Sequence, residues 1–258
     1  MTQELPRIIN DSCLKMELIE KASIDLIITS PPYNLGIKYR NYDDSLSHKD
    51  YLKFCAEWLK NCYIWLKNDG RICLNIPLDT HKKGSQSIGA DITCLLKEIG
   101  FKFQATIVWH NGRIMTKKDI SKRQHYADAR VYAPVELILV FYKRLQEKQS
   151  GSRISDLSLD EYQEWIHGLW QFEPAWREVD GHPVPFPIEL PHRCIKLFSY
   201  VGDTILDPFM GSGTTLLAAD KLNRRSTGIE IDREYCKIAW NKIKQQHEML
   251  SKNHFAER

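Results

Sequence analysis

The chain has 258 residues, 43% of them hydrophobic, with 36 Lys and Arg against 33 Asp and Glu, which is enough apolar material for one compact core. That excludes a disordered tail, a collagen-like fibre and a disulfide miniprotein, and no apolar run approaches the roughly 20 residues of a membrane span. The start, MTQELPRIIND, lacks a secretory pattern and the seven cysteines are scattered without a C-x-x-C pair, so the reading is a soluble cytoplasmic protein with no membrane partner, no disulfide framework and no structural zinc.

In chain order, strands are expected at Arg7 to Asn10 and at Asp25 to Thr29, the second running into Ser30-Pro31-Pro32-Tyr33. A helix follows Ser47, where Ser-His-Lys-Asp makes a capping box and Leu52, Cys55, Leu59, Cys62 and Leu66 recur at helical spacing. Then come a strand over Arg71 to Ile76, a helix over Asp91 to Ile99 stopped by Gly100, and strands over Gln104 to Trp109 and Val135 to Tyr142. The remainder reads as a helix over Pro191 to Ser199, a strand over Asp203 to Leu206, a helix over Thr214 to Leu222, a strand over Ser226 to Ile231 and a helix over Arg233 to Ser251. This alternation implies an α/β fold, a seven-stranded sheet covered by helices on both faces, within a single domain over 1–258.

Two stretches fit the alternation poorly and read as insertions at one end of the sheet: the polar run Gln146 to Asp160, and His110 to Arg130. The second holds six basic and two acidic residues, a net +4 in a chain whose total is +3. It is either a phosphate-facing surface or a solvated loop.

Near the carboxyl end, Asp203-Thr-Ile-Leu-Asp-Pro-Phe-Met-Gly-Ser-Gly-Thr-Thr215 runs from a strand through a Gly turn into a helix, and Glu230 lies near the end of the next strand. Such a βαβ unit holds its ligand at the strand ends, with the second acid placed to take ribose hydroxyls. It is not a phosphate loop, because no Lys lies between Asp203 and Lys221 and Asp207 would repel a pyrophosphate. An acid at the first turn suits a cationic cofactor, and S-adenosylmethionine, with an ammonium, a sulfonium and a ribose, meets that description; the bland alternative is that Gly211 and Gly213 only turn the chain.

Near the amino end, the prolines of Thr29-Ser-Pro-Pro-Tyr-Asn34 remove backbone donors and force extended geometry on the residue before them. Oxygen acceptors beside the Tyr33 ring are suited to a planar amine whose parent base stacks on the aromatic face. Alone, the segment is better read as a strand-terminating turn with a packing Tyr.

Together the two patterns resemble the amino-methyltransferases of DNA, Thr29-Ser-Pro-Pro-Tyr-Asn34 being similar to their catalytic motif and Asp207-Pro208-Phe209-Met-Gly211-Ser-Gly213 to their cofactor motif. Their order in the chain is similar to that of the circularly permuted beta group, which implies a Rossmann-like mixed sheet of the class I methyltransferase type. The resemblance implies that Asp11 contacts the cofactor's adenine, that Glu230 holds its ribose, and that Gly181 to Arg193 is the segment ahead of the cofactor strand. It also places a target recognition region at 111–176, inside the single domain.

The implied reaction is direct attack of a flipped base's exocyclic amine on the cofactor methyl, with Ser30 and the Pro31 carbonyl accepting amine hydrogens, Pro32 shaping the loop and Tyr33 stacking on the base. Alignment supplies most of the gain, and no Pro-Cys motif of the ring-carbon enzymes is present. In the family, Ser at the position of Ser30 accompanies N4 of cytosine more often than N6 of adenine, so cytosine is the expected target and adenine the alternative; a non-catalytic DNA-binding module is the reading from another class. Double-stranded DNA is the implied partner, with Arg113, Lys117, Lys118, Lys122 and Arg123 as phosphate contacts and Asn111 or Gln124 as readers of base edges, each equally a solvated surface residue. A cognate restriction endonuclease and a homodimer are further partners the family allows. Trp165, Trp170 and Trp176 are expected to pack, and His182 and His192, without Cys or carboxylate partners at ligand spacing, give no metal site.

Overall fold

All six residues of Ile24–Thr29 are buried, as a strand covered on both faces must be, and this strand lies at the middle of the sheet. The computed structural model of the chain describes residues 4–80, 86–112, 133–175 and 186–256. In chain order the elements are β1 (Arg7–Asn10), β2 (Ile24–Thr29), α1 (His48–Trp65), β3 (Leu66–Pro77), α2 (Ile88–Ile99), β4 (Lys102–His110), β5 (Val135–Tyr142) and α3 (Leu159–Trp165). They continue with β6 (Leu169–Gln171), α4 (Glu189–Phe198), β7 (Thr204–Asp207), α5 (Thr214–Lys221), β8 (Arg225–Glu230) and α6 (Arg233–Ala256).

The sheet has the order β1-β8-β7-β2-β3-β5-β4-β6. β5 runs antiparallel to both neighbours, and every other pairing is parallel. The α/β mixed sheet agrees with the expectation, but among the described residues it has eight strands rather than seven. The addition is β6, three residues with only Trp170 buried, too short to show a period of two in the sequence. α3 was not expected either: a Ser158–Glu161 capping box starts it inside the polar run, and only Trp165 of its seven residues is buried.

β5, α3 and β6 fall inside 111–176, so part of that span is sheet and covering helix. Trp165 and Trp170 are buried, while Trp176 lies outside the described residues. One apolar layer packs α1 and α2 on the sheet through Tyr51, Trp58, Trp65 and Leu96, and the opposite layer joins Trp109, Trp170, Leu190, Ile195 and Ala219. Six of the seven cysteines are buried in these surroundings and all seven are free thiols, which is their ordinary use as small apolar side chains.

Candidate active site

β2 and β7 are parallel neighbours, with Leu26 opposite Ile205 and Ile27 opposite Leu206. The loops leaving their carboxyl ends therefore emerge side by side, where ligands bind in open α/β sheets. A direct bond ties the two: Thr29 Oγ1 donates to Asp207 Oδ1 at 2.8 Å across 178 residues of sequence. Asp207 also accepts from Thr215 Oγ1 at 2.6 Å and from the Phe209 N–H at 3.1 Å. Burial pushes its carboxyl up to about 6, and these hydrogen bonds hold it from rising further.

One cavity is lined by Asp11, Ser30, Pro31, Pro32, Tyr33, Pro208, Phe209, Gly211 and Glu230. Asp207 and Gly213 are not in its lining: Asp207 sits behind the loop, 1% exposed, and Gly213 begins α5 with φ 87°. Glu230 accepts from the Gly211 N–H at 2.9 Å and from the Asp232 N–H at 2.8 Å, and burial raises its pKa. The glycine amide is thus committed to a carboxylate, as expected of a loop that is not built for phosphate. Asp11 is held below the usual carboxylate range by its hydrogen bond from Lys15 and by the Ser12 N–H.

Several lining residues carried no sequence signal. The segment after the catalytic motif folds back over the cavity with Tyr39, Arg40, Asn41 and Tyr42, fixed by Asp44, whose carboxylate accepts the N–H groups of Asn34, Leu35 and Ile37 at 2.7, 2.9 and 3.0 Å. Asn41 Nδ2 reaches Asp232 Oδ2 at 3.2 Å, and the Arg40 guanidinium lies 5.7 Å from the Tyr235 ring centre. Three carboxylates (Asp11, Glu230, Asp232) and one guanidinium (Arg40) line the cavity, together with the Phe54, Phe186 and Phe209 rings. This donor set fits a cofactor with a positive charge, sugar hydroxyls and a planar base.

At the catalytic end, Ser30 Oγ lies 2.5 Å from the Tyr33 hydroxyl. That hydroxyl is 3.1 Å from the Asn75 carbonyl oxygen and 3.2 Å from Glu136 Oε2, and it accepts from Asn75 Nδ2 at 2.7 Å. Asn75 Nδ2 also donates to Glu136 Oε2 at 2.8 Å. Burial and the nearby Glu136 carboxylate push the Tyr33 phenol well above its usual range. Asn75 and Glu136 were missed, although each left a trace: a buried amide within the apolar run Ile72 to Ile76, and an acid at the start of the apolar strand β5.

The basic candidates Arg113, Lys117, Lys118, Lys122 and Arg123, with Gln124 and His182, lie outside the described residues. Asn111 is 4% exposed, with its N–H donating to the Pro134 carbonyl at 3.1 Å. His192 is half-buried edge-on to Trp165, and burial lowers its pKa. Among the described residues no group of three or more His, Cys, Asp and Glu is placed to hold a metal ion. No helix among them is long and apolar enough to cross a membrane.

A family model described as DNA methylase, for N6 and N4 targets, matches residues 24–241. The Type II methyltransferase M.MjaVI of Methanocaldococcus jannaschii is 43% identical over 165 residues, 64% of this chain and 84% of that protein. M.HpaI of Haemophilus parainfluenzae, also a Type II methyltransferase, is 29% identical over 92% of this chain and 74% of its own length. Among solved structures, TTHA0409 of Thermus thermophilus, solved in complex with S-adenosyl-L-methionine, superposes with a TM-score of 0.73 at 25% identity, covering 93% of this chain and 95% of that one. The PvuII DNA methyltransferase, which is cytosine-N4-specific, shares the fold at a TM-score of 0.73 and 20% identity, over 95% and 92% of the two chains.

Proposed function

The chain belongs to the DNA methylase family, and from that premise we propose that it methylates N4 of cytosine within a specific DNA sequence. It is a DNA amino-methyltransferase of the Type II restriction-modification kind, and its methyl donor is S-adenosylmethionine. The observation that carries the site assignment is the β2–β7 pairing, which sets Ser30 to Tyr33 and the loop from Pro208 to Gly211 on one cavity, joined behind by Thr29 and Asp207.

In this reading the acidic half of the cavity, with Asp11 and Glu230, takes the adenosine and the cationic sulfur, Asp207 and Gly213 hold the loop from behind, and Ser30 to Tyr33 receive the flipped base. Bound there, the cofactor supplies an electrophilic methyl group. The chain's own work is alignment: Ser30 and the Pro31 carbonyl accept amine hydrogens so that the nitrogen lone pair faces the sulfonium, and the Tyr33 ring supports the base. The catalytic motif precedes the cofactor motif, and this order supports the permuted beta group. We assign the chain as one domain over 1–258, with recognition of DNA within 111–176 concentrated in the basic stretch from Arg113 to Arg130. A cognate endonuclease and a homodimer accompany this reading.

The test is to incubate the protein with unmethylated genomic DNA and S-adenosylmethionine, digest to nucleosides and weigh the products. N4-methylcytosine is expected. N6-methyladenine would overturn the choice of base, and the absence of both from a preparation that binds the cofactor would overturn the reading as a whole.

A further inference from the structure

Transfer of a methyl group to an amine leaves one proton too many on nitrogen, and Ser30 by itself is no place to store it, because a protonated hydroxyl is a far stronger acid than the medium. Its hydroxyl, however, is the first of three oxygens in contact: Ser30 Oγ to Tyr33 Oη at 2.5 Å, and Tyr33 Oη to Glu136 Oε2 at 3.2 Å. The first two can each receive a proton on one side and release one on the other, and the third is a carboxylate that can keep it.

We propose that Glu136 is the terminal proton acceptor of the transfer, reached through the Ser30 and Tyr33 hydroxyls. This rests on the reading of Ser30 to Tyr33 as the amine-binding motif. The N–CH3 bond forms as the S–CH3 bond breaks, and the bonding pair stays on sulfur. The amine nitrogen then releases one proton to Ser30 Oγ, the Ser30 proton passes to Tyr33 Oη, and the Tyr33 proton passes to Glu136 Oε2. Both hydroxyls finish neutral and Glu136 finishes as the acid. Before transfer, the same chain oriented toward Glu136 leaves the lone pairs of Ser30 free to accept the amine hydrogens.

Asn75 makes the path directional. Its Nδ2 donates to both Tyr33 Oη and Glu136 Oε2, at 2.7 and 2.8 Å, which fixes the phenol and the carboxylate relative to each other. An amide nitrogen cannot take up a proton at neutral pH, so the route runs through the phenol. The Tyr33 hydroxyl has a second acceptor in the Asn75 carbonyl at 3.1 Å, but only the carboxylate can retain what it receives. Among the described residues, Glu136 meets the Tyr33 phenol from the loop after β2 and Asn75 from β3; on β4 it pairs with Trp109, and His110, one residue further on, projects to the other face of the sheet. No described cation is paired with it in the same cluster.

Single-turnover methyl transfer to unmethylated DNA, measured from pH 5.5 to 9 on the full chain, tests this in wild type, Glu136→Gln and Glu136→Asp. Glu136→Gln keeps the shape and an acceptor oxygen but cannot hold the proton. It should slow transfer at least about tenfold, with the dissociation constant for S-adenosylmethionine within about twofold of wild type. Glu136→Asp should restore part of the rate at every pH. A wild-type rate in Glu136→Gln would overturn the relay while leaving the methyltransferase reading intact, and equal loss in both variants would reduce Glu136 to a packing role. Absence of transfer by the wild type would overturn the reading on which the relay rests.

Discussion

Asp207 lies behind the lining of the cavity and not in it. Its carboxylate lies under the cofactor loop, bonded to Thr29, Thr215 and the Phe209 N–H, and burial raises its pKa to about 6. A carboxyl raised above its unfolded value holds its proton more tightly in the folded state, so the unliganded protein gains stability from this group as pH falls from about 6 toward about 4. A cationic cofactor reverses the preference, since it favours the ionised form. Affinity for S-adenosylmethionine should therefore rise by roughly tenfold between pH 5 and 7.5, with Glu230, also raised by burial, adding in the same direction. In Asp207→Asn the affinity at pH 7.5 should fall and the pH dependence flatten to what Glu230 supplies. Calorimetric titration at both pH values checks this, and an unchanged pH dependence in the variant would remove Asp207 from the electrostatics of the site.

At the scale of elements, α5 can follow the cofactor loop only because Gly213 stands between them. Its φ is 87°, and a Cβ there would lie 2.8 Å from the Ala239 Cβ of α6. Gly151 also has positive φ, 50°, but with nothing within 4 Å. Gly151→Ala should cost about 1 kcal/mol from left-handed backbone alone, and Gly213→Ala about 2–4 kcal/mol because overpacking adds to it. Urea midpoints of the two variants measure the difference, and equal losses would show that α6 yields at no cost. Elements of this kind were legible where a periodic apolar stripe met a capping residue: Ser47 does begin α1, with its Oγ accepting the Asp50 N–H, and Gly100 does end α2 in the left-handed conformation. β6 and α3 were not, because three and seven residues carry too little period, and their specification comes from Trp165 and Trp170 packing against the sheet. The same limit applies to the site. Ser30 to Tyr33 and the loop from Asp207 to Gly213 announce themselves in contiguous residues, whereas Asn75 and Glu136 become neighbours of Tyr33 only through the β3–β5 register, in which Asn75 faces Ile138 and Pro77 faces Glu136.

Across the described molecule, the two ends of the sheet differ in electrostatics. The cavity end holds Asp207 and Glu230, both raised by burial, while the amino ends of β2 and β7 carry a compensated cluster. There Arg153 contacts Asp25 at 3.3 Å, Asp69 at 3.2 Å and Asp203 at 3.2 Å, and Lys67 and Lys148 complete the charge balance. The polar run after β5 is thus pinned across the foot of the sheet. Burial alone would raise Asp69, but the Gln149 N–H, Lys148 and Arg153 outweigh it and hold that carboxyl below its ordinary value. A depressed carboxyl contributes stability above its unfolded pKa and loses it as pH falls through the folded one. Removing the shared cation in Arg153→Met leaves Asp25 and Asp203, both nearly inaccessible, short of a partner, and should cost about 3 kcal/mol at pH 7. The gap between wild type and variant should shrink only as pH falls through the depressed range of Asp69, with cofactor affinity unaltered because the cluster stands at the opposite end of the strands from the cavity. Urea unfolding at pH 7 and at about pH 2 decides between charge and packing: a gap that stays the same at both values would mean that Arg153 acts through its packing on the Tyr200 ring, 4.9 Å from the guanidinium, rather than through the ions.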